Sequence, residues 1–142
     1  MPISDRATQV LVDTSVAIAL VVADHDHHAG TVAAIGPRRA GLAGHAAFET
    51  FSVLTRLPVP ARRPPEVVSR LLAENFPATR FLSDAAAAAL LEELGPVGIA
   101  GGSVYDGLVG AVAREHGMVL ATRDRRAVAT YRTLQVDIEM LD

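Results

Sequence analysis

The sequence predicts an α/β protein, a three-layer α/β/α sandwich around a central, mainly parallel sheet. Three observations carry that expectation. Short runs such as Val10-Leu11-Val12 and Val119-Leu120-Ala121 are apolar throughout, as strands buried on both faces are. Helical stretches alternate with these runs. Acids stand just beyond two of them, Asp13 and Asp124, and the carboxyl edge of a parallel sheet is where open α/β proteins bind ligands.

The elements follow in order. Residues 1–7 read as a loose polar lead-in. Thr8 to Asp13 is the first strand, and Ser15 to Val22 a short helix that Thr14 or Ser15 can cap. The polar turn Asp24-His25-Asp26-His27-His28 starts a second helix that ends near Gly36-Pro37. Ala40 to Ala43 is the second strand. Ala46 to Leu57 has helical spacing and stops before Pro58, and the proline-rich stretch to Pro65 is a loop. Pro65 suits a helix's first turn, and Glu66 to Phe76 continue it. Thr79 to Leu82 reads as a third strand. Ser83 or Asp84 caps the alanine-rich helix 85–94. After a glycine-rich loop, Ser103 to His116 is helical and Gly117 stops it. Met118 to Thr122 is a buried strand, Asp124 to Tyr131 a short helix, and Val136 to Met140 the last strand.

Composition narrows the chemistry. The 142 residues suit one domain, 1–142, and half of them are hydrophobic, enough for a substantial core. There is no cysteine, which removes disulfides, thiolate metal sites and cysteine nucleophiles. All 13 basic residues are arginine, so no lysine can form a Schiff base or clamp a phosphate. The net charge of -3 disfavours a nucleic-acid binder held by its overall field; local arginines or metal ions would have to do that work. No apolar run is long enough to span a membrane and no secretory signal is evident, so a cytoplasmic location is expected.

Of the 16 acids, four lie at strand ends or on helices that would face such ends: Asp13, Glu49, Asp106 and Asp124. Each has a plain structural alternative. Asp13 and Asp124 could be helix caps. Ser103-x-x-Asp106 matches a capping box. His45, Glu49, Ser52 and Arg56 could form a solvated helix stripe. Asp106, Gly110, Ala113 and Gly117 share one side of their helix, where small residues admit a close neighbour, while Tyr105, Leu108, Val109 and Val112 form its core side. Gly107 and Gly110 cost that helix about 1 kcal/mol each relative to alanine. Four gathered carboxylates make a stronger case than any one, because such a set suits a hard divalent cation, magnesium or manganese. One or two such ions can activate water and neutralise a phosphoryl group.

In this ordered set the chain resembles the PIN-domain ribonucleases, and most closely the VapC-type toxins of bacterial toxin–antitoxin pairs. The matching features are Val12-Asp13-Thr14-Ser15 after an apolar strand, Glu49 in the third helix, Tyr105-Asp106 opening a helix, and Thr122-Arg123-Asp124 after the next strand. The resemblance implies a Mg2+- or Mn2+-dependent endoribonuclease, with Asp13, Glu49, Asp106 and Asp124 as catalytic, metal-holding acids. Thr14, Ser15 and Thr122 would be the hydroxyls that orient them. A metal-activated water would attack an RNA phosphodiester. It also implies a homodimer, a VapB-type antitoxin partner, and higher assembly between the two. Gly107 and Gly110, and the length of the lead-in, depart from the family's usual pattern.

Other features point elsewhere or nowhere. His25, His27 and His28 suggest a metal site only weakly. His45 and His116 read as surface groups or groups supporting the acids. Arg123, Arg125 and Arg126 could contact RNA phosphates or merely be solvated. Phe48, Phe51, Phe76, Phe81, Tyr105 and Tyr131 mostly have core spacing, so no base-stacking platform is expected. A receiver-like signalling domain would need a lysine after its last strand. A silent PIN-like binding module would not need all four acids. Nucleotide-binding glycine motifs are absent.

Overall fold

A computed structural model describes residues 8–142; the expected lead-in, 1–7, lies outside the described residues. The elements run β1 (Gln9–Val12), α1 (Thr14–Val21), α2 (His28–Ile35), β2 (Arg39–Leu42), α3 (His45–Thr55), α4 (Pro65–Asn75), α5 (Asp84–Leu94), α6 (Ser103–His116), β3 (Leu120–Thr122), α7 (Val128–Thr133) and β4 (Ile138–Met140). All strand pairs are parallel, in the order β2-β1-β3-β4.

The apolar run of β1 shows why three layers form. Val10, Leu11 and Val12 are all fully buried. Alternate side chains point to opposite faces of a strand. Val10 and Val12 join Val16 and Ala17 of α1, Ile35 of α2, and Leu42 and Phe76 on one face. Leu11 joins Leu90 and Leu94 of α5, Val109 and Val112 of α6, and Tyr131 and Leu134 on the other. Two cores, one above and one below the sheet, therefore meet through the two adjacent central strands, β1 and β3.

The chain leaves β1 for β2 on one side, then returns after α3 to α6 to lay β3 on the other. The carboxyl ends of β1 and β3 thus flank the point where the strand order reverses. A crevice at such a point is where α/β sheets hold ligands. Asp13 follows β1 directly, and Thr122 ends β3.

Several local expectations change. Asp13 itself is the N-cap of α1, accepting from Val16 N–H at 3.3 Å, so Thr14 and Ser15 are the helix's first residues and do not cap it. The capping box at Ser103 does not form: Gly102 holds the N-cap position of α6 and no side chain caps it. Ser83 does cap α5, accepting from Ala86 N–H at 3.1 Å. Helix α7 starts at Val128, because Asp124 Oδ1 accepts from Arg126 N–H at 3.0 Å and folds residues 124–127 into a turn.

The expected strand 79–82 is a single bridge, Ala43 with Arg80. The segment does run beside β2, donating from Ala78 N–H to Ala40 O and from Arg80 N–H to Leu42 O. The Leu42 N–H, however, is taken by the Thr79 hydroxyl at 2.9 Å, which breaks the ladder that a strand requires. Gly41 permits this close approach: a Cβ there would lie 2.2 Å from the Ala78 carbonyl. Gly110 is a milder case: its Cβ would press on the Tyr131 ring at 3.0 Å and on Val136 at 3.1 Å, side chains that would have to shift by a few tenths of an ångström. Gly107 has no such conflict, its nearest such contact being an ordinary 3.5 Å to Leu94.

These contacts set opposite outcomes for two glycines. Gly41→Ala should destabilise the protein by about 2 kcal/mol or more, because the obstructing atoms are backbone. Gly107→Ala should stabilise it by about 0.5–1 kcal/mol through helix propensity. Urea unfolding midpoints of the two variants against the parent distinguish the cases.

Candidate active site

Asp13 is 5% exposed and both its oxygens are doubly engaged. Oδ1 accepts from the Ser15 hydroxyl at 2.5 Å and from Val16 N–H. Oδ2 accepts from the Thr122 hydroxyl at 2.5 Å and from the Tyr131 hydroxyl at 2.9 Å. Burial pushes the Asp13 pKa up, and the bonds from Ser15, Thr122, Tyr131 and Val16 pull it back in part. The same hydroxyls also accept. Thr122 Oγ1 takes Asp124 N–H at 3.0 Å, and Ser15 Oγ takes Arg123 N–H at 2.9 Å. Two short side chains therefore tie the ends of β1 and β3 together and place the backbone of Asp124.

Glu49 reaches the same place from α3. Its Oε2 accepts from the Thr14 hydroxyl at 3.1 Å, and its Oε1 lies 3.1 Å from His45 Nε2. Half of the expected polar stripe on α3 thus serves the crevice; the rest, Arg56 on Ser52, stays on the surface.

Asp106 comes from α6. Freed from capping, it has no hydrogen-bond donor among the described residues. Its pKa is raised to about 6, first by burial, then by the charges of Asp124, Glu49 and Asp13, with Arg126 opposing. Asp106 therefore lies within electrostatic reach of the other three acids. All four line one small cavity together with Thr14, Ser15, Val109 and Tyr131. A larger cleft of about 360 Å³, with Arg39, Glu74 and Phe76 in its wall, lies at the amino end of β2 and gathers no such set.

The donors suit a hard divalent cation in type and charge: four carboxylates around one crevice, one of them with no protein partner. Among the described residues, no three acids or histidines close around a single point as the ligands of an ion would. Glu49 instead contacts Thr14 and His45, and Asp124 accepts from the Arg126 amide.

Sequence reasoning missed Tyr131 as a member of the site. It packs as expected, 1% exposed against Gly110, but its hydroxyl serves Asp13, and burial beside that acid raises its own pKa. A tyrosine at a position whose packing needs only a phenyl ring was the available signal. Tyr105, expected on the core side of α6, is 53% exposed, and Phe48 and Phe81 are exposed as well. Phe76 and Tyr131 are buried as their spacing suggested. The three candidate arginines diverge. Arg123 turns its guanidinium to Thr31 at 3.4 Å, whereas Arg125 and Arg126 are exposed, the latter 3.6 Å from Asp124.

The raised carboxyls give a pH dependence of defined sign. Asp106 titrates near 6 in the folded protein and at the ordinary carboxylate value when unfolded. The folded state therefore binds the extra proton, and stability of the metal-free protein falls as pH rises from about 4 to about 6. Asp13 acts in the same direction. Asp106→Asn should melt higher than the parent at about pH 8 in chelator and lose that advantage at about pH 4. An advantage equal at both pH values would mean that neither burial nor the other acids raise the Asp106 carboxyl.

The PIN domain family model matches residues 10–132. The chain is 49% identical to Ribonuclease VapC27 of Mycobacterium tuberculosis (strain ATCC 25618 / H37Rv), over 89% of this chain and 93% of that one. It is 42% identical to Ribonuclease VapC40 of Mycobacterium tuberculosis (strain CDC 1551 / Oshkosh), over 91% of this chain and 96% of that one. A chain of the DNA-bound VapBC structure from Salmonella typhimurium superposes with a TM-score of 0.66 at 18% identity, over 93% of this chain and 97% of that chain, a likeness of fold. The family match, the two close relatives and the shared fold together place this chain in the PIN-domain family, among the VapC-type ribonucleases.

Proposed function

We propose that this chain is a Mg2+- or Mn2+-dependent endoribonuclease and the toxin of a toxin–antitoxin pair. The observation that carries the reading is the meeting of Asp13, Glu49, Asp106 and Asp124 in one cavity at the point where the sheet order reverses. The names of VapC27 and VapC40 as ribonucleases support the substrate class. The VapBC assembly of the structural relative supports an antitoxin partner of VapB type.

Within this reading the four acids would hold the ion. When bound, a divalent cation supplies a nucleophile at neutral pH and neutralises charge building on the phosphate. The chain's own groups do the positioning. Asp13 is held rigid by Ser15, Val16, Thr122 and Tyr131. Thr14 aims Glu49, and Thr122 places the Asp124 backbone. Arg125 and Arg126, exposed next to Asp124 in the chain, would meet RNA phosphates, while Arg123 acts through its amide. The exposed, non-polar Phe48, Phe81 and Leu91 suit a homodimer contact, as the family resemblance implies. No helix among the described residues is long and apolar enough to cross a membrane, and an RNA substrate suits a cytoplasmic location.

Incubation with total cellular RNA, with and without chelator, followed by mapping of the new 5′ ends tests the activity, the metal and the target together. Asp106→Asn and Glu49→Gln should fall to background while folding normally. Asp13→Asn is the poorer probe, because an amide would set a donor against the hydroxyls that now donate to Asp13. Full activity of Asp106→Asn, or cleavage indifferent to chelator, would sink the assignment. Magnesium should also raise the melting temperature by binding linkage.

Tyr131→Phe keeps the ring against Gly110 and removes only the bond to Asp13. Loss of such a supporting partner costs roughly 10–100-fold in metal affinity or activity, against about 1 kcal/mol of stability. Titrating cleavage with manganese reads the two effects apart from a melting curve.

A further inference from the structure

Beside the acid cavity stand rings that the fold does not use. Tyr105, the residue before Asp106, is 53% exposed, and its ring lies against His45 with centroids 5.1 Å apart and planes 21° apart. His45 opens α3 one turn before Glu49 and is 3.1 Å from its carboxylate. The pair is thus tied to the site on both sides, by the chain to Asp106 and by the His45–Glu49 contact. The buried face of α6 is made by Val109, Val112 and the small residues Gly107, Gly110, Ala111 and Ala113, so the helix does not need the Tyr105 ring for packing.

We propose that the His45–Tyr105 pair is a stacking platform for a nucleobase next to the scissile phosphate of single-stranded RNA. The proposal rests on reading the cavity as an RNA-cleaving site. A chain with no lysine and a net charge of -3 has little general attraction for RNA, so its hold on the substrate must be local. Stacking supplies such a hold and tolerates any base, since every base has a π-face. It also requires an unpaired base, which selects single strands, loops and bulges over duplex. The neighbouring Phe48–Phe81 pair differs. Its rings are tilted by 53° at 6.2 Å, so they present no common flat face to a base and suit a protein surface instead.

The test uses a single-stranded RNA oligonucleotide centred on a cut mapped in total RNA, and a series with one abasic nucleotide at each position around it. The parent, Tyr105→Ala and Tyr105→Phe are compared, each sized by gel filtration at assay concentration. Tyr105→Ala should raise KM roughly 5- to 150-fold, the span that one stacked base provides, with kcat little changed. Tyr105→Phe should behave as the parent. In the parent, an abasic position beside the cut should raise KM by a similar factor, and in Tyr105→Ala that same change should add nothing. Independent, multiplying effects at every position would overturn the platform, as would an unchanged KM in Tyr105→Ala. A Tyr105→Ala protein that elutes as a smaller species and regains activity at higher concentration would assign the ring to a contact between copies and overturn it too. A parent that cleaves no RNA overturns the reading of the site itself, and the platform with it.

Discussion

The structure depends on one buried negative charge. A carboxylate removed from water is costly unless donors surround it. Asp13 has four, and they come from three elements: Ser15 and Val16 from α1, Thr122 from β3 and Tyr131 from α7. Residue 13 is thereby joined to residues more than 100 positions away. These donor bonds add to the parallel ladder between β1 and β3 in fixing how β3 and α7 dock on β1. Gly110 lies beside the same constraint, because the Tyr131 ring packs closely against a position with no side chain.

Asp13 and Asp106 meet the cavity on unlike terms. Asp13 accepts four hydrogen bonds and keeps one geometry. Asp106 has no such support and is raised by burial and by the charges of the other three acids. In the proposed reading, Asp13 would give a cation a fixed position and Asp106 would supply charge that is unfavourable until the cation arrives. A proton on Asp106 and a cation in the cavity relieve the same repulsion, so each opposes the other.

Much of this was legible in the sequence because it is local or periodic. The apolar run of β1, the acids that end it and follow β3, the Pro65 start of α4 and the Gly117 stop of α6 are read from neighbours along the chain. What was not legible depends on distant partners. Ser103-x-x-Asp106 reads as a cap until Gly102 takes the cap position and leaves the carboxylate for the crevice. The segment 79–82 has strand composition, but the Thr79 hydroxyl replaces a backbone partner of Leu42. Tyr105 falls at helical spacing from Leu108 and Val109, yet the buried side of α6 is centred on its glycines and alanines, and the ring is left at the edge.

The use of hydroxyls explains how a site of four acids can belong to a stable fold. Ser15 and Thr122 each donate to Asp13 and accept a backbone N–H from the residues after β3. Each satisfies a buried acceptor and a backbone donor at once, and neither brings a charge of its own. An arginine at either place would neutralise Asp13 and compete with any cation for it. A hydroxyl orients the carboxylate and leaves its charge free to act in the cavity. The fold therefore holds the Asp13 charge in place with neutral groups, while its nearest exposed arginine, Arg126, stands at the rim beside Asp124 and offsets only part of the charge that raises Asp106.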